Sequence, residues 1–471
     1  MIKRTLADMA VMCGGTISKA SLPNTGIAGV TTDSRRVHQG QLFIPLVGEH
    51  YDGHDFVQGA FASGAAAALW QSGREVPEGL SEAALIFVED TLEALQRLAS
   101  SYRQELQVRV IGVTGSNGKT TTKDMAASVL AGVFRVHKTE GNLNNHIGLP
   151  LTVLQLDETV EVAVLELGMS GFGEIELLTR IAQPDIAIIT NIGDAHLLQL
   201  GSREGIAKAK LEISSGLKPG GILLFNGDEP LLHSGVQALE LPAAIGRQTF
   251  GIGADNDWSA VNVELGADAS RFDMISKRDP QVSLRGLRIP VLGQHNVANA
   301  LAAIAAALLL GVPQERIQEG LNGLTLTGMR IEPLRASNGA LLLSDAYNAN
   351  PTAVRAAIDF VEHLSGYRRK WLVLGDMLEL GPEEAELHAG IGQYVTPDKA
   401  DAVLTFGPLS RHTAAAAANH FEAGGQSVVA FEDKNELIEW LLTRLAPEDL
   451  VLVKGSRGMR MEEIIQALQR V

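Results

Sequence analysis

The chain has 471 residues, too many for one ordinary core, and its length alone points to about three domains. Hydrophobic residues make up 45% and charged residues 20%, and the net charge is −16 with no Lys/Arg-rich stripe, which speaks against nucleic acid as a main partner. A single cysteine, Cys13, excludes a disulfide framework and reads as a small buried apolar residue in a reducing compartment.

Lys3 and Arg4 resemble the start of a targeting segment, but Asp8 interrupts the apolar stretch that follows. The longest apolar run, within Ala298–Leu310, falls well short of the roughly 20 residues of a bilayer span. No membrane insertion is expected, and the expected location is the cytoplasm.

Residues 1–106 read as short strands and loops with two helices. Leu42–Val47 and Ala84–Val88 alternate or run apolar as strands do, and Thr91–Leu106 places Leu92, Leu95 and Leu98 on one helical face. That helix feeds directly into the next strand, which puts a domain boundary near residue 107. From there strands and helices alternate: Val108–Val113, a helix Lys119–Leu130, Arg135–Lys138, Val162–Leu167, a helix Glu174–Ile181, Ile186–Thr190, a helix Gly205–Gly216 and Ile222–Phe225. Such alternation predicts an α/β unit with a mainly parallel sheet. Residues 250–292 carry short alternating runs and turn residues, an antiparallel extension, followed by a helix Asn296–Leu310 and a linker Leu324–Arg330. A second alternating series runs from Leu341–Ser344 to a helix over 460–470 and predicts a smaller doubly wound domain.

The richest stretch is Gly112-Val113-Thr114-Gly115-Ser116-Asn117-Gly118-Lys119-Thr120-Thr121, lying between a strand and a helix. In that setting a glycine-rich loop cradles phosphate: its amides converge on the anion, the helix N-terminus adds positive potential, Lys119 reaches the terminal phosphates and Thr120 holds Mg²⁺. The spacing is Gly-x2-Gly-x2-Gly-Lys-Thr-Thr rather than the commoner Gly-x4-Gly-Lys-Thr. Ligands of open α/β sheets collect at the carboxyl ends of strands, where Glu166, Asn191, Asp194 and His196 are predicted to sit. Glu166 is placed to hold phosphate-bound Mg²⁺, and His196 to offer an imidazole to a second metal ion. The plain alternative for both is a structural role.

Thr114-Gly115-Ser116-Asn117-Gly118-Lys119-Thr120, Glu166-Leu167-Gly168, Asn191-Ile192-Gly193-Asp194-Ala195-His196-Leu197 and Ala209-Lys210-Leu211-Glu212-Ile213 together resemble the ATPase core of the Mur ligases, the ATP-dependent amide-forming enzymes of peptidoglycan precursor synthesis. The resemblance continues in order through Gly293-Gln294-His295-Asn296-Val297-Ala298-Asn299, Arg330, Asp345-Ala346-Tyr347-Asn348-Ala349-Asn350-Pro351 and Lys454-Gly455-Ser456-Arg457-Gly458, spanning essentially the whole chain. It implies three domains: a small N-terminal α/β uridine-nucleotide domain (1–106), a central P-loop ATPase domain (107–325) and a C-terminal Rossmann-like domain (326–471). Thr32-Asp33-Ser34-Arg35, the Asn-rich run Gly141–Thr152, Tyr347–Pro351 and Gly375-Asp376-Met377-Leu378-Glu379-Leu380-Gly381 are similar to the family member that adds D-alanyl-D-alanine to UDP-N-acetylmuramoyl-tripeptide. The Asp-Asn-Pro-Arg motif of the diaminopimelate-adding relative is absent. Folylpolyglutamate synthetases share the ATPase core but lack such a first domain.

The implied reaction has two steps. A peptide carboxylate attacks the γ-phosphate of ATP to give an acyl phosphate, and the amine of D-Ala-D-Ala then displaces phosphate, so catalysis is largely charge clamping and positioning. The resemblance implies that Lys119 neutralises the phosphates, that Thr120 and Glu166 ligate a first Mg²⁺, and that His196 ligates a second. It also implies a CO₂-derived carbamate on Lys210 near that second ion; on spacing alone Lys210 is a solvated helix lysine, as Lys208 is expected to be.

Asn296 and Asn299 share a helix face suited to an adenine edge, with capping as the alternative for Asn296. Arg330 in the linker is expected to act on the γ-phosphate, with a surface salt bridge as the alternative, and Asp345 is expected to accept from the ribose. Ser34 and Arg35 take the uridine diphosphate end. Asn142, Asn144 and Asn145 approach the peptide end, or else supply a loop needing left-handed backbone. Tyr347, Asn348 and Asn350 bind D-Ala-D-Ala, while Asp376, Glu379 and Arg457 are weaker candidates. The expected ligands are thus ATP with two Mg²⁺ and two small-molecule substrates, on a monomer. A sister ligase with another acceptor, and a P-loop switch or transport ATPase, are the competing readings.

Overall fold

The computed structural model describes residues 1–18, 23–266, 269–327, 332–346, 349–421 and 427–470. They form four sheets. A two-stranded ribbon pairs Lys3–Thr5 with Gly26–Ala28, and beside it a five-stranded sheet runs in the order Thr16–Ile17, Leu85–Val88, Ala67–Gln71, Leu42–Phe43, Val30–Thr31. The expected strand Leu42–Val47 is cut to two residues, because Pro45 has no N–H to give a ladder.

The central sheet has nine strands in the order Ser283–Ile289, Ser270–Ser276, Trp258–Leu265, Gly246–Gly251, Ile222–Asn226, Ile186–Ile189, Arg109–Thr114, Val162–Glu166, Val136–Lys138. Pairing is parallel from Val136–Lys138 through Trp258–Leu265 and antiparallel for the last two strands. Arg109–Thr114 lies between Val162–Glu166 and Ile186–Ile189, so the chain order reverses there and a crevice opens at the carboxyl ends. The register sets Glu166 opposite Val113 and Ile189 opposite Thr114, which brings three strand ends to one rim.

One face of this sheet is covered by the helices Lys119–Ala131 and Gln294–Leu309, which pack along each other. Ala300, Ala302, Ala303, Ala305, Ala306 and Ala307 are fully buried, and their short side chains let the second helix approach the first closely. The other face shares a core with the first domain. Leu95, Leu98 and Tyr102 of the helix Thr91–Glu105 belong to the same buried cluster as Leu149, Val153 and Leu178. Asp90 starts that helix by accepting from the Leu92 and Glu93 amides (both 2.8 Å), and each buried leucine on it contributes about 2 kcal/mol.

Arg103, 1% exposed, rivets the junction: its guanidinium donates to the carbonyls of Ala182 (2.7 Å), Gln183 (3.2 Å), Val108 (3.1 Å) and Leu106 (3.3 Å). Ile2 N–H donates to Leu154 O (2.9 Å) and Tyr102 Oη to Leu156 O (2.9 Å), so the two units are bonded as well as packed.

The C-terminal sheet has six strands in the order Glu332–Arg335, Leu341–Asp345, Leu450–Lys454, Lys370–Gly375, Ala402–Phe406, Val428–Phe431, parallel but for the first. It has its own two cores, one on each face. Sequence reading missed the helices Gly148–Gln155, Pro230–Ala238 and Gln314–Asn322 and the strand Ala67–Gln71. Among the described residues, no helix is long and apolar enough to cross a membrane.

Candidate active site

The glycine loop lies where the central sheet reverses. Gly115 (φ +149°) and Gly118 (φ +79°) hold backbone conformations that side chains resist, and neither has room for one. A Cβ on Gly115 would fall 1.8 Å from Thr190 Oγ1, and one on Gly118 would fall 2.4 Å from Asn299 Oδ1. The neighbouring strand end braces the loop. Ser116 N–H donates to Asn191 O (3.1 Å), Asn117 N–H to Asn191 Oδ1 (3.0 Å), and Asn191 Nδ2 returns a bond to Asn117 O (3.1 Å). Thr190 Oγ1 donates to Asn117 O (2.5 Å). Sequence reading had noted Asn191 as a strand-end polar group but not this bracing, and it passed over Thr190.

Ser116 Oγ and Asn117 Nδ2 are buried without a hydrogen-bond partner, an arrangement that suits a polar ligand in the cradle. Lys119 Nζ donates to Gly115 O (2.8 Å) and Ser116 O (3.4 Å), lying across its own loop. Thr121 follows on the same helix, Lys119–Ala131.

Thr120 Oγ1 donates to Glu166 Oε2 (2.9 Å), and Asn144 Nδ2 donates to Glu166 Oε1 (2.9 Å). Glu166, 2% exposed, is thus held at both oxygens, and its amide is tied to Thr139 Oγ1 (2.9 Å). A hydroxyl and a carboxylate side by side make the hard-oxygen donor set that suits Mg²⁺, which keeps waters and phosphate oxygens for its remaining positions. The described residues contain no group of three or more His, Cys, Asp or Glu side chains able to enclose a cation by themselves.

Asn144 therefore meets the acid rather than standing free for a substrate. Asn145 is occupied too, its Oδ1 accepting from the Ile147 (3.2 Å) and Gly148 (2.9 Å) amides at the start of the helix Gly148–Gln155. Asn142 is exposed. None of the three takes the left-handed backbone that was one expectation for the run; Gly141 does (φ +53°).

Lys210 sits near the end of the helix Arg203–Leu211 and is 2% exposed, not solvated as its spacing alone suggested. Burial, and then the charge of Lys119, push its amine well below the ordinary lysine range. Among the described residues no acid pairs with it. Lys208 is exposed beside the Phe172 ring (5.9 Å).

His196 has left-handed backbone (φ +66°), and its Nδ1 lies 3.1 Å from Glu379 Oε2 of the C-terminal unit. Burial lowers its pKa most, Glu379 opposes that, and the charges of Lys210 and Lys119 lower it further, which places all four groups in one electrostatic neighbourhood.

Asn299, 4% exposed, donates to Asn296 Oδ1 (3.1 Å), and Asn296 donates to Leu292 O (2.8 Å). Both stand beside the glycine loop through the Asn299–Gly118 approach. From the C-terminal sheet, Asp345 Oδ2 accepts from Lys454 Nζ (2.7 Å), while Asp345 Oδ1 is buried without a partner. Lys454, which sequence reading did not assign, ends the adjacent strand.

Asn350 caps the helix Pro351–His363 through Ala353 N–H (2.9 Å), and its Nδ2 donates to Asn117 Oδ1 (3.1 Å), so the C-terminal unit touches the glycine loop directly. Arg330, Tyr347 and Asn348 lie outside the described residues. In the first domain Ser34 and Arg35 form a single helical turn capped by Asp33; the exposed Arg35 pairs with the same carboxylate (2.9 Å), whose pKa it holds near about 2. Asp376 is structural, taking the Ser410 amide (2.7 Å) and hydroxyl (2.5 Å).

Comparison with known proteins gives this geometry a context. Three family models match in order: "Mur ligase family, catalytic domain" over residues 26–103, "Mur ligase middle domain" over 113–307 and "Mur ligase, glutamate ligase domain" over 329–457. The UDP-N-acetylmuramoyl-tripeptide--D-alanyl-D-alanine ligase of Bacillus subtilis is 49% identical over 99% of each chain, and that of Escherichia coli 36% identical over 100% of this chain and 99% of its own. A crystal structure of MurF from Acinetobacter baumannii superposes with a TM-score of 0.88 at 32% identity, covering 100% of both chains. The MurF ligase of Thermotoga maritima in complex with ADP gives 0.77 at 28% identity, over 94% of this chain and 97% of its own. With three α/β units in the order of those structures and relatives matched from end to end, the chain belongs to the Mur ligase family.

Proposed function

We propose that this chain joins D-alanyl-D-alanine to UDP-N-acetylmuramoyl-tripeptide with cleavage of ATP, forming UDP-N-acetylmuramoyl-pentapeptide, ADP and phosphate. The observation that carries an amide ligase over a switch ATPase is the Asn350–Asn117 bond: the C-terminal unit reaches the phosphate cradle itself, as an enzyme must that brings a second substrate to an activated acyl group. The substrate pair is supported by the 49% identity to the Bacillus subtilis ligase across 99% of both chains.

The functional units are read as 1–106 for the sugar nucleotide, 107–325 for ATP and 326–471 for the dipeptide and part of the nucleotide. The loop amides of residues 115–119 hold the β-phosphate, and Lys119 leaves its loop carbonyls to neutralise the transferring phosphoryl group. Magnesium, when bound, screens the phosphate oxygens and polarises the γ-phosphorus towards the incoming carboxylate. Thr120 and Glu166 hold one ion, with Asn144 fixing the carboxylate; His196 and a carbamate on Lys210 hold a second. Burial beside another cation favours the neutral amine, and a neutral amine is the form that takes up CO₂. Asn296 and Asn299 face the adenine, and Asp345, fixed by Lys454, offers its unpaired oxygen to the ribose. Arg330 serves the γ-phosphate, Ser34 and Arg35 the uridine diphosphate, Asn142 the peptide, and Tyr347, Asn348 and Asn350 the dipeptide. Closing of the C-terminal unit excludes water from the acyl phosphate. The enzyme is read as a cytoplasmic monomer.

A coupled phosphate-release assay with the diaminopimelate and lysine forms of the tripeptide, each with and without D-Ala-D-Ala, tests the assignment. Release that depends on the dipeptide is expected with one form at least; none with either overturns it. For Lys210, ¹³C-bicarbonate should give a carbamate resonance that Lys210→Arg lacks.

A further inference from the structure

The segment Asp376–Leu380, which follows the C-terminal strand Lys370–Gly375, is anchored at each residue before Glu379. The buried Asp376 carboxylate accepts from the Leu409 amide (3.3 Å) and from Ser410, and its carbonyl accepts from Ser456 N–H (3.0 Å). Met377 N–H donates to His388 Nε2 (2.9 Å), while the His388 Nδ1 is taken up by Glu384 O (2.6 Å). Leu378 N–H donates to Ser456 Oγ (2.9 Å). Out of this clamped segment Glu379 emerges with φ +65°, a left-handed conformation that costs a glutamate roughly 1 kcal/mol or more.

What it meets is a second strained residue. His196, at φ +66°, presents Nδ1 to Glu379 Oε2 at 3.1 Å, and the same two segments share a backbone bond from Leu198 N–H to Glu379 O (3.2 Å). Gly381, two residues on, packs against Leu198: a Cβ there would lie 3.5 Å from the Leu198 Cα. The Glu379 side chain is 53% exposed, so the charge pair by itself is worth at most about 1 kcal/mol and does not account for holding two left-handed residues face to face. A carboxylate on one ring nitrogen of an imidazole does have a second effect: it fixes the proton there and leaves the other nitrogen as the lone-pair donor.

We infer that Glu379 is a positioning residue for His196, supplied by the C-terminal unit: docking of that unit locks His196 with the proton on Nδ1 and Nε2 free to ligate. The second cation site then becomes complete only when the unit carrying the acceptor's binding surface is in place. This rests on the reading of His196 as a metal donor, and the two fail separately.

The experiment uses full-length protein with ¹⁵N-labelled histidine and no metal, then a Mg²⁺ titration in the presence of ATP and of both substrates. In the parent chain the His196 ring, identified by its loss in His196→Ala, should show a protonated Nδ1 and a bare Nε2. Glu379→Ala should shift it towards the opposite tautomer, Glu379→Gln should keep much of the original, and the Mg²⁺ concentration for half-maximal turnover should rise about 10- to 100-fold in Glu379→Ala. Glu379→Gly, which relieves the backbone strain, should unfold no earlier than the parent yet show the same Mg²⁺ defect, a split that a merely structural role does not give. If His196→Ala moves the Mg²⁺ dependence while Glu379→Ala leaves both it and the ring signals unchanged, the inference is overturned and the metal reading stands. If His196→Ala leaves the Mg²⁺ dependence untouched, both are overturned.

Discussion

Replacing Gly115 by alanine tests the phosphate cradle most directly. At φ +149° an L side chain is strained by about 1–2 kcal/mol, and the new Cβ would lie 1.8 Å from Thr190 Oγ1. Thr190 cannot swing away freely, because its hydroxyl holds Asn117 O (2.5 Å) and Thr114 O (3.3 Å). Forcing an extra methyl into so tight a site costs about 1–3 kcal/mol. A total near 3 kcal/mol, relieved by the loop leaving its binding conformation, weakens ADP about 100-fold. Calorimetric titration of ADP with Mg²⁺ measures it. Thr190→Ala alone should cost only about 1 kcal/mol for its lost hydrogen bonds. The pair Gly115→Ala/Thr190→Ala should bind better than Gly115→Ala, since the nearest remaining Thr190 atoms are Cβ at 3.1 Å and N at 3.2 Å. Affinity of Gly115→Ala within threefold of the parent, or strict additivity in the double variant, would refute the reasoning.

Asn144→Ala should raise the Mg²⁺ requirement and lower kcat while leaving the KM for the sugar nucleotide within about twofold, because the side chain holds Glu166; a large KM effect instead would return Asn144 to the substrate role expected from sequence. Arg103→Met should lower the unfolding free energy by about 3–5 kcal/mol in urea titrations by stripping four carbonyls, three of them buried, of their donor, with ADP affinity nearly unchanged; a shift under 1 kcal/mol would contradict the rivet. In the first domain, partial burial pushes the Asp52 carboxyl up, but the His54 amide and ring and the Arg74 guanidinium outweigh it and hold the pKa at about 2 against 3.8 unfolded. A depressed carboxyl stabilises the fold above its unfolded value and loses that effect as pH falls towards the folded value, so the advantage of the parent over Asp52→Asn should shrink between about pH 5 and 3. The ceiling is about 2.4 kcal/mol, and solvent screening reduces it to about 1. An advantage that does not change with pH would rule this out.

The cradle was legible in sequence because strand, glycine loop and helix are contiguous, and the strand-end rule then pointed to Glu166, Asn191 and His196 without any tertiary information. The helix Gly148–Gln155 was missed because Pro150 reads as a breaker, whereas within the first turn its absent N–H has no partner to lose. The three asparagines of residues 142–145 were recognised as polar and clustered, but asparagine caps helices, steadies acids and meets ligands with the same two groups. Only packing distinguished Asn144 on Glu166 from Asn145 on the Gly148 amide. The contacts from Asn350 to Asn117 and from Glu379 to His196 join residues far apart in the chain and leave no periodic trace. The carbamate on Lys210 was implied by family resemblance alone and its burial was not legible, since Lys208 and Lys210 look alike in sequence whether they face solvent or core.

The continuity of packing beneath Arg103 bears on how such chains can be recombined. A chimaera spliced after residue 106 would set Leu95, Leu98 and Tyr102 against a foreign surface, so the first and central units are expected to be exchanged together. The six-stranded unit encloses its hydrophobic interior within itself and, among the described residues, meets the rest through polar contacts such as Asn350–Asn117 and Glu379–His196. On the proposed division of roles, variation in the incoming amine can arise by exchange of that unit while the acid-side recognition stays untouched.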